Sequence, residues 1–249
     1  MGTSAGDGLQ GASGRCALVS LRREDGKVES DLPWTSAPVE VMACAVPWRV
    51  FRWYRGQRHY SGYYWSSTQK QHVTYESRLE LSHLISADFD PSVQGIVSQP
   101  FLLALQTDPV RRHVPDYLLV TSGNPIVIDV KPARYLDHPK IAPTLSWTRE
   151  IVESRGWEYR VCTEPPPARM ENVRFLAGYR RSWLIPQEPL ARLRNADLNG
   201  RTLGEAFTCL PDLPEPYVRA AVLHLLWTGH LVTDLEQPLD SSQQIWERR

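Results

Sequence analysis

The chain has 249 residues, 42% of them hydrophobic, with 28 basic and 28 acidic side chains and a formal net charge of zero. That length makes one medium domain with an appendage or two small ones, and the apolar fraction with nine Trp excludes general disorder. Net neutrality argues against a generic electrostatic coating of nucleic acid, though not against a local basic patch.

No apolar run nears the roughly 18 residues of a membrane span. The N-terminal residues carry no hydrophobic signal core, so the expected location is the cytoplasm. Cys16, Cys44, Cys162 and Cys209 are far apart and form no CxxC pair, which fits free thiols in a reducing compartment. Of the 28 basic residues 24 are Arg and four are Lys, so each Lys carries some information.

Residues 1–40 are rich in Gly and Ser, then mixed in charge, and read as a flexible leader with a short strand at 16–21. Residues 41–75 hold Arg49, Arg52, Arg55, Arg58 and Lys70, nine aromatics and no Asp or Glu. Alternation at 50–54 and 61–65 predicts hairpin strands turning near Gly56. Two readings stay open: a DNA-contacting surface with those four arginines on phosphates, or a hairpin with its aromatics in the core.

Residues 74–87 read as a helix carrying Glu76 and Glu80 on one side, with Thr74 and Ser77 as capping candidates and the Asp88-Phe89-Asp90-Pro91 cluster as its end. Residues 93–105 read as a strand pair around Gln99-Pro100. Two further strands, at 115–120 and 126–131, flank the turn Ser122-Gly123-Asn124-Pro125 and predict a hairpin. A helix over 139–155 and a strand at 159–162 complete a strand–helix–strand crossover, so the sheet is expected to be mixed. After a Pro165-Pro166-Pro167 linker, helices at 203–210 and 216–228 and strands at 230–235 and 243–246 suggest a winged-helix-like module over 186–249. Trp147, Trp157, Trp183 and Trp227 are expected in the core.

The sharpest feature is Pro115-Asp116 followed by Asp129-Val130-Lys131. Strand side chains alternate, so Asp129 and Lys131 share a face, and the tight turn brings Asp116 beside them. Two carboxylates plus an upstream helix acid make an oxygen-rich nest for a hard cation such as Mg²⁺. Lys131 would hold the attacking water or neutralise charge developing on a scissile phosphate. The competing reading is a turn Asp and a surface ion pair. His113, in an Arg-Arg-His run, is a proton-carrier candidate whose plainer reading is a solvated or phosphate-contacting side chain.

With acid on a helix, Pro-Asp on one strand and Asp-Val-Lys on the next, the chain resembles the PD-(D/E)xK restriction-endonuclease-like superfamily. Within it the chain is similar to TnsA-like endonuclease subunits of heteromeric transposases. The similarity runs over residues 74–162: Tyr-Glu-Ser-x-Leu-Glu, Phe-Asp-Pro-x-Val, Gln-Pro-Phe, Pro-Asp-Tyr and Val-Lys-Pro-Ala. It implies an α/β fold, a restriction-endonuclease-like mixed sheet flanked by helices, in a nuclease domain at 41–185. It also implies Glu80, Asp116 and Asp129 as metal ligands, with Glu76 as the competing helix acid, Lys131 as the catalytic lysine and Gln99 as an accessory group that orients a carboxylate or touches DNA, the alternative for Gln99 being a structural role.

The resemblance further implies Mg²⁺, with Mn²⁺ able to substitute, and hydrolysis of DNA at the 5′ ends of a mobile element. The partners it implies are DNA, a DDE-type transposase and an ATPase regulator, with the protein nucleoid-associated when bound to DNA. The alternatives are a stand-alone restriction, repair or defence nuclease of the same fold, and a non-catalytic DNA-binding adaptor.

Overall fold

The computed structural model describes residues 17–49 and 60–248. They divide into two compact units: one contains the chain up to Ala87 together with Ser92–Glu164, the other Asp88–Pro91 together with the chain from Pro165 onward.

The first unit is built on two four-stranded sheets. One contains β1 (Ala17–Arg22), β2 (Val28–Pro33), β6 (Leu102–Leu105) and β7 (Arg111–His113), ordered β2-β1-β6-β7 and antiparallel throughout. The other contains β5 (Val93–Ser98), β8 (Tyr117–Thr121), β9 (Ile126–Val130) and β10 (Glu158–Cys162), ordered β10-β9-β8-β5. Here β9 runs antiparallel to β8 and parallel to β10, so the sheet is mixed. Every residue of β9 is buried, which explains why its sequence is a continuous apolar run broken only by Asp129. Helix α3 (Ala142–Glu153) makes the crossover from β9 to β10 and buries Leu145, Trp147, Ile151 and Val152.

The N-terminal segment is not a leader from residue 17 onward; residues 1–16 lie outside those described. Ala17, Val19, Leu21, Trp34 and Met42, the last on the short helix α1 (Val39–Ala43), are all in the main core. Trp34 donates its indole N–H to the Ile151 carbonyl (2.8 Å), and Arg155 donates to the Trp34 and Ala37 carbonyls. A buried indole that lies tilted to Phe101 and edge-on to Trp157 and also satisfies its N–H ties this segment to α3.

Two pairings differ from those the sequence predicts. Strands β5 and β6 do not pair; they belong to different sheets. Gln99 adopts φ +46° and Pro100 follows, so the chain turns out of one sheet and into the other. The strand at 61–65, observed as β3 (Gly62–Ser66), pairs with β4 (Gln71–Tyr75), while the predicted partner at 50–54 lies outside the described residues. Because Val73, Thr74 and Tyr75 are used as strand, helix α2 (Arg78–Phe89) starts later than predicted, with Ser77 accepting the Glu80 N–H.

The second unit starts at Pro165 rather than after residue 185. Its first helix, α4 (Pro167–Leu176), packs on the central helix α7 (Glu215–Trp227). The buried Asn172 of α4 donates to the Leu235 and Gln237 carbonyls and accepts from Leu239 N–H. Helices α5 (Gln187–Leu193) and α6 (Leu203–Thr208) also pack on α7, and α6 begins with a Thr202–Glu205 capping box. Strands β11 (Leu231–Val232) and β12 (Trp246–Glu247) form an antiparallel pair after α7. Trp147, Trp157 and Trp227 are buried as expected, but Trp183 is 59% exposed because it sits in a short surface turn. No helix among the described residues is long and apolar enough to cross a membrane.

Candidate active site

The β8–β9 hairpin sets the site. Asp116 immediately precedes β8, and its N–H donates to the Ile128 carbonyl (3.0 Å), so it sits in register beside the end of β9. Its side chain continues the ladder: Oδ2 accepts the Val130 N–H at 2.6 Å, where a backbone carbonyl would otherwise be needed. The same oxygen accepts from Lys131 Nζ at 2.9 Å. On the other side of β9, Lys131 N–H donates to the Cys162 carbonyl, extending the pairing with β10 by one residue. Alternation then turns Asp129 and Lys131 to one face, with Lys131 Nζ 3.7 Å from Asp129 Oδ1. Asp116, Asp129 and Lys131 therefore converge on one side of the sheet.

Asp129 has no exposed surface. Both its oxygens lie 2.8 Å from His113 Nε2, and Tyr159 donates its hydroxyl to Oδ2 at 2.5 Å. Burial opposes its charge, but the His113 and Tyr159 hydrogen bonds and the nearby Lys131 charge hold its carboxyl below the ordinary range. Asp116 goes the other way. Burial and the negative charge of Asp129 raise it, outweighing Lys131 and the Val130 N–H.

Glu80, in the first turn of α2, reaches back to accept the Glu76 N–H (2.8 Å), a helix cap in form. Burial and the charge of Asp116 push its carboxyl up to about 7. Lys131 is raised as well: burial works against the ammonium, but Asp116, Asp129 and Glu80 overcome it. Glu80, Asp116 and Lys131 therefore feel one another's charge. Glu76 instead pairs with Arg49 at 3.2 Å.

Gln99 is buried, and among the hydrogen bonds of the described residues none joins its side chain to a strand carboxylate. Its Oε1 accepts the Arg49 N–H (3.1 Å), its carbonyl accepts the Trp48 N–H, and its own N–H donates to the Asp116 carbonyl. Gln99 thus joins the segment ending at Arg49 to the strand bearing Asp116. Arg52, Arg55 and Arg58 lie outside the described residues.

Among the described residues, no three His, Cys, Asp or Glu side chains are gathered into a ready cation cage. The donor chemistry nevertheless fits a hard divalent ion. All three acids offer carboxylate oxygens, and one ammonium does not neutralise three carboxylates; burial first, and repulsion between the acids after it, raise Glu80 and Asp116. Tyr159 is the member of the site that sequence reasoning missed; His113, a proton-carrier candidate in the sequence, is here a partner of the Asp129 carboxylate. The usable signal for His113 was its placement three residues before Asp116.

Residues 90–164 match the family model described as TnsA-like endonuclease N terminal. Over that stretch the chain is similar to TnsA-like endonucleases. The match takes in Asp116, Asp129 and Lys131, and it begins after Glu80. The mixed sheet with its crossover helix is a restriction-endonuclease-like architecture. A search of curated proteins finds no match.

Proposed function

We propose that the protein is a Mg²⁺-dependent DNA endonuclease subunit of a heteromeric transposase, cutting at the 5′ ends of a mobile element. The observation that carries this reading is Asp116 and Lys131 in contact at 2.9 Å on the face that also bears Asp129, inside the TnsA-like match. Glu80, Asp116 and Asp129 would hold the ion, with Mn²⁺ able to substitute. When bound, such an ion supplies Lewis acidity at the phosphoryl oxygen and lowers the pKa of an attacking water.

The residues do the rest. Asp116, fixed by the Val130 N–H, keeps one oxygen edge at a set position on the sheet. Lys131 stays an ammonium in this field, so it acts as a charge rather than as a base. It orients the nucleophilic water or offsets the negative charge that grows on the scissile phosphate.

The partners of this reading are DNA, a DDE-type transposase that handles the 3′ ends, and an ATPase regulator, with the protein on the nucleoid while bound. The order of α5, α6 and α7 followed by the β11–β12 pair supports a winged-helix-like role for the second unit in holding DNA. A neutral chain that relies on partners for DNA affinity cuts little on its own.

The test is nicking of element-end DNA in Mg²⁺ with the partner transposase present. Wild type should nick, and Lys131→Ala should lose on the order of 10²–10³-fold, the scale of removing one group that stabilises transition-state charge. Unchanged nicking by Lys131→Ala overturns the assignment, and an inactive wild type points to a non-catalytic adaptor.

A further inference from the structure

We propose that His113 and Tyr159 are positioning residues of the nuclease site, holding the Asp129 carboxylate in the orientation that ligates the metal; this rests on the reading above. A carboxylate with no exposed surface is costly unless its lone pairs are met by donors. Asp116 meets that need with a backbone N–H from the hairpin it belongs to. Asp129 has no such backbone partner for its oxygens among the hydrogen bonds described. Its donors are side chains from two other strands, His113 of β7 and Tyr159 of β10.

Strand β7 belongs to the antiparallel sheet and β9 to the mixed one, so the His113–Asp129 contact joins the two sheets at the site. Each donor is itself held. The His113 ring stands edge-on to Trp147 at 6.3 Å and 84°. The Arg149 guanidinium lies 5.0 Å over the Tyr159 ring and donates to its carbonyl. Because Nε2 faces both oxygens of Asp129, it must carry the proton, and the same nitrogen is not free to take one from a nucleophile. Outer partners of this kind set the angle at which a ligand meets its ion, and their loss costs about 10- to 100-fold in metal affinity or activity.

Two measurements on the full chain test this: Mn²⁺ binding to the DNA-free protein by the electron paramagnetic resonance of free Mn²⁺, and the Mg²⁺ dependence of nicking with the partner transposase. His113→Phe and Tyr159→Phe should each weaken Mn²⁺ binding and raise the half-saturating Mg²⁺ by about 10-fold or more, with half-saturating DNA unchanged. His113→Gln places an amide donor near the Nε2 position and should restore most of both.

Wild-type Mn²⁺ affinity in His113→Phe, or equal loss in His113→Gln and His113→Phe, overturns the proposal. If His113→Phe does not fold, Tyr159→Phe decides alone, and an unchanged Mn²⁺ affinity there overturns it. A wild type that binds no Mn²⁺ and does not nick removes the nuclease reading along with this one. A wild type that does both while the variants match it removes this one only.

Discussion

Asp116 and Asp129 share one ammonium, 2.9 and 3.7 Å from Lys131 Nζ, yet the fold secures them by opposite means. Asp116 is held by the backbone of its own hairpin, through Val130 N–H and the Ile128 carbonyl. Asp129 is held by side chains that arrive from β7 and β10. The difference shows in the direction each carboxyl is pushed: burial raises Asp116, while against burial the His113 and Tyr159 hydrogen bonds and Lys131 lower Asp129. Backbone fixation places a carboxylate without fully satisfying it, and a placed but unsatisfied acid is one that welcomes a cation. Side-chain fixation satisfies the acid and stiffens it.

The largest expected effects are on catalysis. Beyond Lys131→Ala, both Asp116→Ala and Asp129→Ala should abolish nicking, since each removes a proposed ligand. Stability separates them. In metal-free buffer, Asp129→Ala should cost about 3–4 kcal/mol, because it leaves His113 and Tyr159 without their acceptor in a sealed space. Asp116→Ala should cost about 1–2 kcal/mol: it frees the Val130 N–H but also removes a carboxylate whose charge the fold disfavours. Calorimetry with chelator present measures both, and a larger loss in Asp116→Ala would break the comparison.

The same contrast explains what could be read from the sequence. The Asp116 side was legible because everything that places it is local: a tight turn, strand alternation and the Pro-Asp and Asp-Val-Lys spacing. The Asp129 side was half legible. Its face followed from alternation, but its donors sit on strands whose neighbours are set by sheet order, and one sequence does not state sheet order. His113 therefore looked like part of a basic surface run.

Gln99 misled for a related reason. A strand pair around Gln-Pro is the economical reading of 93–105, yet the left-handed Gln99 turns the chain into a second sheet. The N-terminal segment was misread because polar composition outweighed the few residues, Trp34 above all, that anchor it. Of the four arginines read as DNA contacts, Arg49 meets Glu76 and the other three fall outside the described residues.

Glu80 supplies the smallest and most diagnostic test, because it belongs with Asp116 in carrying charge the fold does not want. Its carboxyl titrates near 7 when folded against an ordinary value of 4.5. Below about 4.5 both states are protonated and nothing is lost. Between that point and 7 the unfolded chain releases its proton while the folded one retains it, so stability falls as pH rises, and above 7 the whole penalty is present. For a half-buried group that penalty is about 1–2 kcal/mol once solvent screening is allowed for.

Glu80→Gln keeps an oxygen for the Glu76 N–H but carries no charge. In chelator its melting temperature should equal or slightly trail wild type at pH 5 and exceed it at pH 8. Adding Mg²⁺ should raise the wild-type melting temperature more at pH 8 than at pH 5, because the ion competes with the proton for the same oxygens. Glu76→Gln, whose carboxylate already has Arg49, should show neither effect. Parallel wild-type and Glu80→Gln curves across this range would mean that Glu80 does not share the field of Asp116, and the helix would then contribute a cap to the site but not a ligand.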